Sequence, residues 1–384
     1  MSVVIPNINN KSLLLENIGK LVSANDSGIK TINNTSLLIK NDKIASIGMG
    51  NSVNSINCEG KMVTCGFIDS HTHPVFFNKR DNEYAMRLSG STYEEIAKNG
   101  GGILSSIEGV RDSSEEQLIK KVKERMDRFI ASGTTTIEAK SGYGLDTKSE
   151  LKSLEVIRKV SNAHSIDMIP TFMGAHAFPK EFESKRDEYI KIVCNEMIPA
   201  VANQGIALFN DVFCENGYFS VEESRLILEA GKKYGLKPRL HADEFSNSNA
   251  AVLASEVGAL SADHLMEVSK EGISKLAKND VVATLLPGTT FFLGKKTYAP
   301  ARKLLDAGVT VALATDFNPG SSHIQSMPFI MTLACLHMGM TVEEAYQSAT
   351  YNGAVALGIE KNVGSIEIGK KADLIIWQLD SLLD

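Results

Sequence analysis

Eight short apolar runs alternate with helical patterns between residues 62 and 316, and this alternation restricts the fold more than any other feature of the chain. The runs are 62–70, 134–140, 167–173, 209–214, 237–243, 259–264, 281–286 and 309–316. Most are rich in Val, Ile, Leu, Phe or Thr, as strands covered on both faces must be. The clearest helical pattern runs over 115–132. Ser114 and Gln117 make a capping box, Leu118, Val122, Phe129 and Ile130 share one face, and Gly133 stops it. Less regular helical patterns over 148–160, 187–204, 220–234, 247–256, 269–278 and 299–307 separate the other strands. Eight βα units over about 300 residues predict a (β/α)8 barrel. An open doubly wound sheet is the alternative, and the lack of a GxGxxG after the first strand counts against it.

The ends of the chain read differently. Segments 12–18, 36–39 and 43–48 are short strands between Asn, Asp and Gly turns, and 364–377 has the same character. Helical segments 326–338 and 341–357 lead from the barrel to that last part. We therefore expect residues 1–60 and 358–384 to combine into a small β-sandwich domain beside a barrel over 61–357.

Whole-chain properties exclude several function classes. With 43% hydrophobic and 22% charged residues, the 384-residue chain has an ordinary globular balance. A net charge of −6 without a long basic run argues against a nucleic-acid partner. No apolar stretch is long enough to span a membrane, and the N-terminus lacks the pattern of a signal peptide. Five scattered cysteines, none in a CxxC, read as reduced thiols of a cytoplasmic protein.

Chemistry in such a barrel belongs at the C-terminal ends of the strands. His71 and His73 close the first strand, one residue apart and on one side of it. Their Cβ atoms then lie roughly 6–7 Å apart, within reach of one metal ion. His241 sits near the end of the fifth strand, followed by Glu244. His264 ends the sixth and Asp316 the eighth. One buried histidine at a strand end is usually a satisfied core residue, but this many on one rim point to a metal centre. Nitrogen and oxygen ligands without thiolate suit zinc or iron. Such an ion acidifies water and polarises a carbonyl, and a nearby carboxylate can move the proton, which is metal-assisted hydrolysis. A metal-binding protein without chemistry is the non-enzymatic alternative, and it would not need His264 or Glu244 beside the ion.

This constellation resembles the amidohydrolase superfamily, whose pattern is His-x-His on strand one, His on five, His on six and Asp on eight. The resemblance implies a metal shell of His71, His73, His241 and Asp316. The fourth strand has no lysine, and Lys140 ends the second instead. That implies a single ion, one Zn2+ or Fe3+ per subunit. The local motifs Leu14-Leu15-Glu16-Asn17, His71-Thr72-His73-Pro74, Lys140-Ser141-Gly142-Tyr143-Gly144, Gly174-Ala175-His176, His241-Ala242-Asp243-Glu244 and Asp316-Phe317-Asn318-Pro319-Gly320-Ser321 narrow it further. They are similar, nearly end to end, to the branch that opens the ring of 4-imidazolone-5-propanoate to N-formimidoyl-L-glutamate in histidine breakdown.

By that resemblance Arg80, Tyr143, His176, Glu244, Asn318, Gly320 and Ser321 bind substrate, and Asp316, His264 and Glu244 carry the catalysis. Arg80 suits a propionate as a bidentate partner, though it also reads as a solvated surface Arg, and Tyr143 as a packing Tyr. Backbone amides near Gly320 could serve a carboxylate. Gly100-Gly101-Gly102 fits a lid hinge or a tight turn. A mononuclear deaminase of heterocyclic bases is the alternative enzyme, and it needs no site for a propionate tail. The resemblance also implies a homodimer, and a small β domain whose last strands lie beyond Asp384.

Overall fold

In this computed structural model residues 3–4, 12–90 and 102–382 are described. Gly100 and Gly101, and with them most of the expected hinge, lie outside the described residues.

The N-terminal part contributes β1 (Val3–Val4), β2 (Ser12–Asn25), β3 (Gly28–Lys40), β4 (Lys43–Ile47), β5 (Ser55–Asn57) and β6 (Met62–Cys65). Eight parallel strands follow: β7 (Phe67–Asp69), β8 (Thr134–Lys140), β9 (Asp167–Ala175), β10 (Phe209–Cys214), β11 (Lys237–Ala242), β12 (Ser261–His264), β13 (Val282–Leu285) and β14 (Val311–Leu313). The last strand, β15 (Leu374–Ile376), pairs with β1 and β6, so the two ends of the chain share one hydrogen-bonded sheet of seven strands. Leu15, Ile18, Leu37, Val63 and Leu374 belong to its core.

The expected first strand, 62–70, is two strands. Met62–Cys65 joins the small sheet and Phe67–Asp69 the barrel. The chain crosses at Gly66, where a Cβ would lie 2.3 Å from the side chain of Thr135. The Gly66 N–H donates to Asp373, and the next, of Phe67, donates to Gly133. The hairpin β2–β3 is much longer than the strand signals at its base. Its outer half carries Lys30, Thr31, Asn33 and Asn34 on exposed positions, which blurs the alternation a strand reading needs.

Most of the expected helices form. The capping box on Glu115–Ala131 is present with both of its hydrogen bonds. The pattern over 187–204 contains a widened turn at Val193–Met197, ahead of Pro199, which has no N–H for the helical ladder. The pattern over 341–357 is two helices, Val342–Ser348 and Tyr351–Ala356. The carbonyl of Ala349 between them accepts the N–H of Ile68, so β7 caps the first of the two. Helices Asp81–Leu88, Ile103–Asp112 and Pro287–Phe292 had no clear sequence signal.

The barrel closes between its first and last strands. Asp316 N–H donates to His71 O at 3.1 Å, His73 N–H donates to Phe317 O at 2.8 Å, and Asp69 accepts both N–H and Oγ1–H of Thr315. Successive strand residues point alternately outward and inward. Outward, Ile137, Ala139, Val212, Leu240 and Ala262 pack in the main core. Inward, Glu138, Lys140, Asp211, Arg239 and Asp263 form a column of ion pairs, all fully buried. The bottom is plugged by Ile68, Phe209, Ala354, Leu357 and Val363. The polar column carries the site at its top.

Candidate metal centre and substrate pocket

His71 and His73 continue β7, His241 ends β11 and Asp316 follows β14. His73 Nε2 lies 3.3 Å from His71 Nε2 and 3.3 Å from His241 Nε2. Asp316 Oδ1 is 3.6 Å from Nε2 of both His71 and His73. These separations are close to the about 3.3–3.4 Å between ligands held at about 2.0–2.1 Å from one zinc ion. His71, His73 and Asp316 form one group that could hold a metal ion, and His71, His241 and His264 form another.

Their tautomers fit as well. His71 Nδ1 is 2.7 Å from Asp263 Oδ2, and His241 Nδ1 is 3.1 Å from Asp211 Oδ1. Carboxylates only accept, so each Nδ1 carries the hydrogen and each Nε2 turns a lone pair inward. Burial, with the neighbouring cations, pushes His71 and His73 well below the ordinary histidine range, which keeps those lone pairs available. Nitrogen lone pairs facing one another at this spacing repel unless a cation lies among them. Around them the buried carboxyls Glu138, Asp211, Asp263 and Asp316 outnumber the buried cations Lys140 and Arg239, an environment that favours a cation.

Two residues reach their positions through left-handed backbone, His264 with φ 79° and Asp316 with φ 51°. Such conformations are uncommon for residues other than glycine and cluster at functional sites. His264 is buried, and neither of its ring nitrogens has a hydrogen-bond partner among the described residues. Its Nε2 is 3.7 Å from Glu244 Oε2. Burial pushes the Glu244 carboxyl well above its usual range, and the charge of Asp316 adds to this. Asp316 is pushed up to about 6, chiefly by burial and against a hydrogen bond from Thr289. That hydroxyl donates to Oδ2 at 2.5 Å, so Oδ1 alone faces the histidines.

A cavity of about 720 Å³ opens above this cluster. Every residue expected from the sequence to serve the site lines it, except His71, which lies beneath. Tyr143 and His176 form one wall. The His176 ring stacks on His73 with centroids 5.0 Å apart, and its Nδ1 donates to Gly142 O at 2.8 Å. Its Nε2 is therefore an acceptor, and burial pushes the ring down to about 3. The turn that carries Tyr143 is held by Glu150, whose carboxylate accepts the N–H groups of Gly142, Gly144 and Leu145.

Two expectations need correction. Arg80 has a bidentate partner within the protein: its Nε and Nη2 donate to Glu83 at 2.6–2.8 Å. Glu83 lies three residues along the helix that starts at Asp81, where one turn brings the two side chains together. The amides of Gly320 and Ser321 are likewise committed, donating to Asn318 Oδ1 at 2.8 and 2.7 Å. Asn318 Nδ2 in turn donates to Asp316 O and Ser321 Oγ. Asn318 thus shapes the loop from within, and those amides are not available to a carboxylate.

Sequence reasoning passed over Glu83, Thr289, Glu150, Asp211 and Asp263. Asp211 and Asp263 carried a usable signal, a carboxylate at an inward position of an apolar strand. Thr289 had none.

The amidohydrolase family model matches residues 62–384. The imidazolonepropionase of Geobacillus kaustophilus is 48% identical over 374 residues, covering 94% of this chain and 88% of that protein. That of Alkaliphilus metalliredigens is 46% identical over 355 residues, covering 90% and 84%. Among solved structures, an adenosine deaminase from Xanthomonas campestris with bound zinc has a TM-score of 0.73 at 16% identity, covering 96% of this chain and 85% of that one, a likeness of fold alone. The chain belongs to the amidohydrolase family, and within it to the imidazolonepropionases.

Proposed function

We propose that this protein hydrolyses the ring C–N bond of 4-imidazolone-5-propanoate to give N-formimidoyl-L-glutamate, a step of histidine degradation, at the centre formed by His71, His73, His241 and Asp316. The observation that carries the reading is the meeting, in one cavity, of a cluster of metal-binding side chains with residues suited to a flat polar ring and a carboxylate tail.

The nitrogen-rich ligand set favours one Zn2+ over Fe3+ as the bound ion. When bound, the ion acidifies water and polarises the ring carbonyl. The protein's own groups do the rest. Asp316 takes the proton of the attacking water and returns it to the ring nitrogen as the C–N bond breaks. His264, with no other partner among the described residues, donates to the oxyanion as it develops. Glu244, whose carboxyl burial pushes up, faces the ring and holds it. His176 Nε2 accepts a ring N–H, and Tyr143 closes the wall beside it. Arg80, fixed by Glu83, presents its positive charge to the propionate from the side of Gly320. Asn318 and Ser321 complete that end of the pocket.

The proposal includes a cytoplasmic homodimer. No helix among the described residues is long and apolar enough to cross a membrane, and all five cysteines are unbridged. Phe291 and Phe329 meet at 5.3 Å on the surface near the exposed Leu336, an apolar area suited to a second copy. Sedimentation of the purified protein tests the assembly.

Ultraviolet loss of imidazolonepropionate, with metal analysis of protein purified without added metal, tests the chemistry. Ring opening that depends on one zinc per chain is expected. Ammonia release from heterocyclic bases without ring opening would overturn the reading.

A further inference from the structure

Lys140 is a buried charge near the site that the proposed chemistry leaves unused. Its side chain is fully buried at the end of β8. Its ammonium donates to Glu138 Oε1 at 2.7 Å and to Asp211 Oδ2 at 2.6 Å. The other oxygen of Asp211 accepts the Nδ1–H of His241. Three strands, β8, β10 and β11, thus contribute one residue each to a chain that ends on a ring of the metal cluster. No other route fixes that ring by hydrogen bonding among the described residues. The second orienting carboxylate, Asp263, has an equivalent support. Arg239 Nη2 donates to the same Asp263 oxygen that holds His71, at 3.0 Å.

We propose that Lys140 is a positioning residue for the metal centre, acting through Asp211 on the ring of His241. A buried carboxylate without its cation is costly to hold in place, and turning away relieves that cost. Such a turn removes the acceptor that aims His241 Nε2 at the cluster. Glu138 keeps the ammonium on the strand axis, and also accepts the N–H of Thr72 at 3.2 Å, between the two histidines of β7. The same pair of strands therefore holds His241 and the His71–His73 segment in one frame. This inference rests on the reading of His241 as a ligand.

The test compares Lys140→Gln, Asp211→Asn, the double variant and the parent, each loaded with Zn2+, by the rate of zinc loss to an excess of chelator. Orienting partners of metal ligands are typically worth about 10–100-fold in affinity. Each single variant is expected to release zinc about tenfold faster or more. In the Asp211→Asn background, Lys140→Gln should add less than about twofold, because its route is already cut. The Co2+-substituted Lys140→Gln protein should show shifted visible bands, which a loss of stability alone would not produce. Release within twofold of the parent, or an equal effect of Lys140→Gln in both backgrounds, overturns the proposal. If Lys140→Gln does not fold, the parent protein decides. With lysine side-chain 15N labelling, the Lys140 ammonium signal should shift when Zn2+ is added, and an unmoved signal overturns the proposal. His241→Ala separates the two levels: if it binds zinc as tightly as the parent, the ligand reading fails, whatever Lys140 does.

Discussion

A Cβ on Gly320 would lie 2.3 Å from Nη1 of Arg80. Gly320 lies outside the left-handed backbone region, so the constraint is space and not strain. Gly320→Ala must push the guanidinium off its seat beside Glu83. We expect KM to rise about tenfold or more, equivalent to about 1.4 kcal/mol, with kcat changed little. Steady-state kinetics decide it, and an unchanged KM would remove Arg80 from substrate binding.

Thr289 sets which oxygen of Asp316 faces the cluster. Its hydroxyl also holds the Asp316 carboxyl down against burial. Thr289→Val removes a bond to a charged group, worth about 1.5–3 kcal/mol. The acid limb of the kcat–pH profile should move to higher pH, because Asp316 loses a stabiliser of its ionised form. Metal content should stay at the parental level. A lost ion with an unmoved limb would mean that Thr289 only supports ligation.

Glu150 accepts three backbone N–H groups from the turn that carries Tyr143, and Gly142 in that turn holds His176. Glu150→Gln would turn an amide NH2 toward the Gly142 N–H, while its oxygen still accepts from Gly144 and Leu145. The melting temperature should fall, with a cost of about 1–3 kcal/mol for unpaired buried groups. KM should rise while zinc release stays as in the parent. Stability lost with KM preserved would show that the turn does not govern the substrate wall.

Each buried histidine should make the metal-free protein less stable in acid, against the opposing effect of the raised buried carboxyls. Burial holds His71, His73, His176 and His264 below the ordinary histidine range in the folded state. The unfolded chain then binds more protons, so stability is present above about 6.5 and falls as pH drops below it. Each proton difference contributes about 1.4 kcal/mol per pH unit. Denaturant titrations of chelator-treated parent and His264→Gln between pH 7.5 and 5 should differ in slope by up to one proton, since the raised carboxyls of Asp69, Asp316 and Asp373, at about 7, 6 and 6, oppose the histidines in both proteins. Equal slopes would contradict neutral burial of His264.

The barrel and the rim were legible in the sequence because both rest on local signals. Strands covered on two faces are apolar runs, and His71, His73, His241, His264 and Asp316 stand where those runs end. The groups that orient them were not legible. Asp211, Asp263 and Lys140 are charges inside apolar strands, and only the barrel's closure shows that they face one another. Thr289 lies on a helical turn of six residues, Pro287–Phe292, too short for any periodicity. The break at Gly66 was hidden because one apolar run serves two sheets.

The hydrogen bonds that close the barrel also decide when the site can exist. Thr315 and Asp69, 246 positions apart in the chain, meet beside His71 and Asp316. At about 5–20 residues per second, a ribosome delivers the last ligand on the order of ten to fifty seconds after the first pair. Until then a nascent chain offers histidines alone, with no carboxylate of the proposed shell and no closed wall. On the reading of Asp316 as a ligand, full metal capture is an event of the finished barrel, and uptake of the ion serves as a clock for its last folding step.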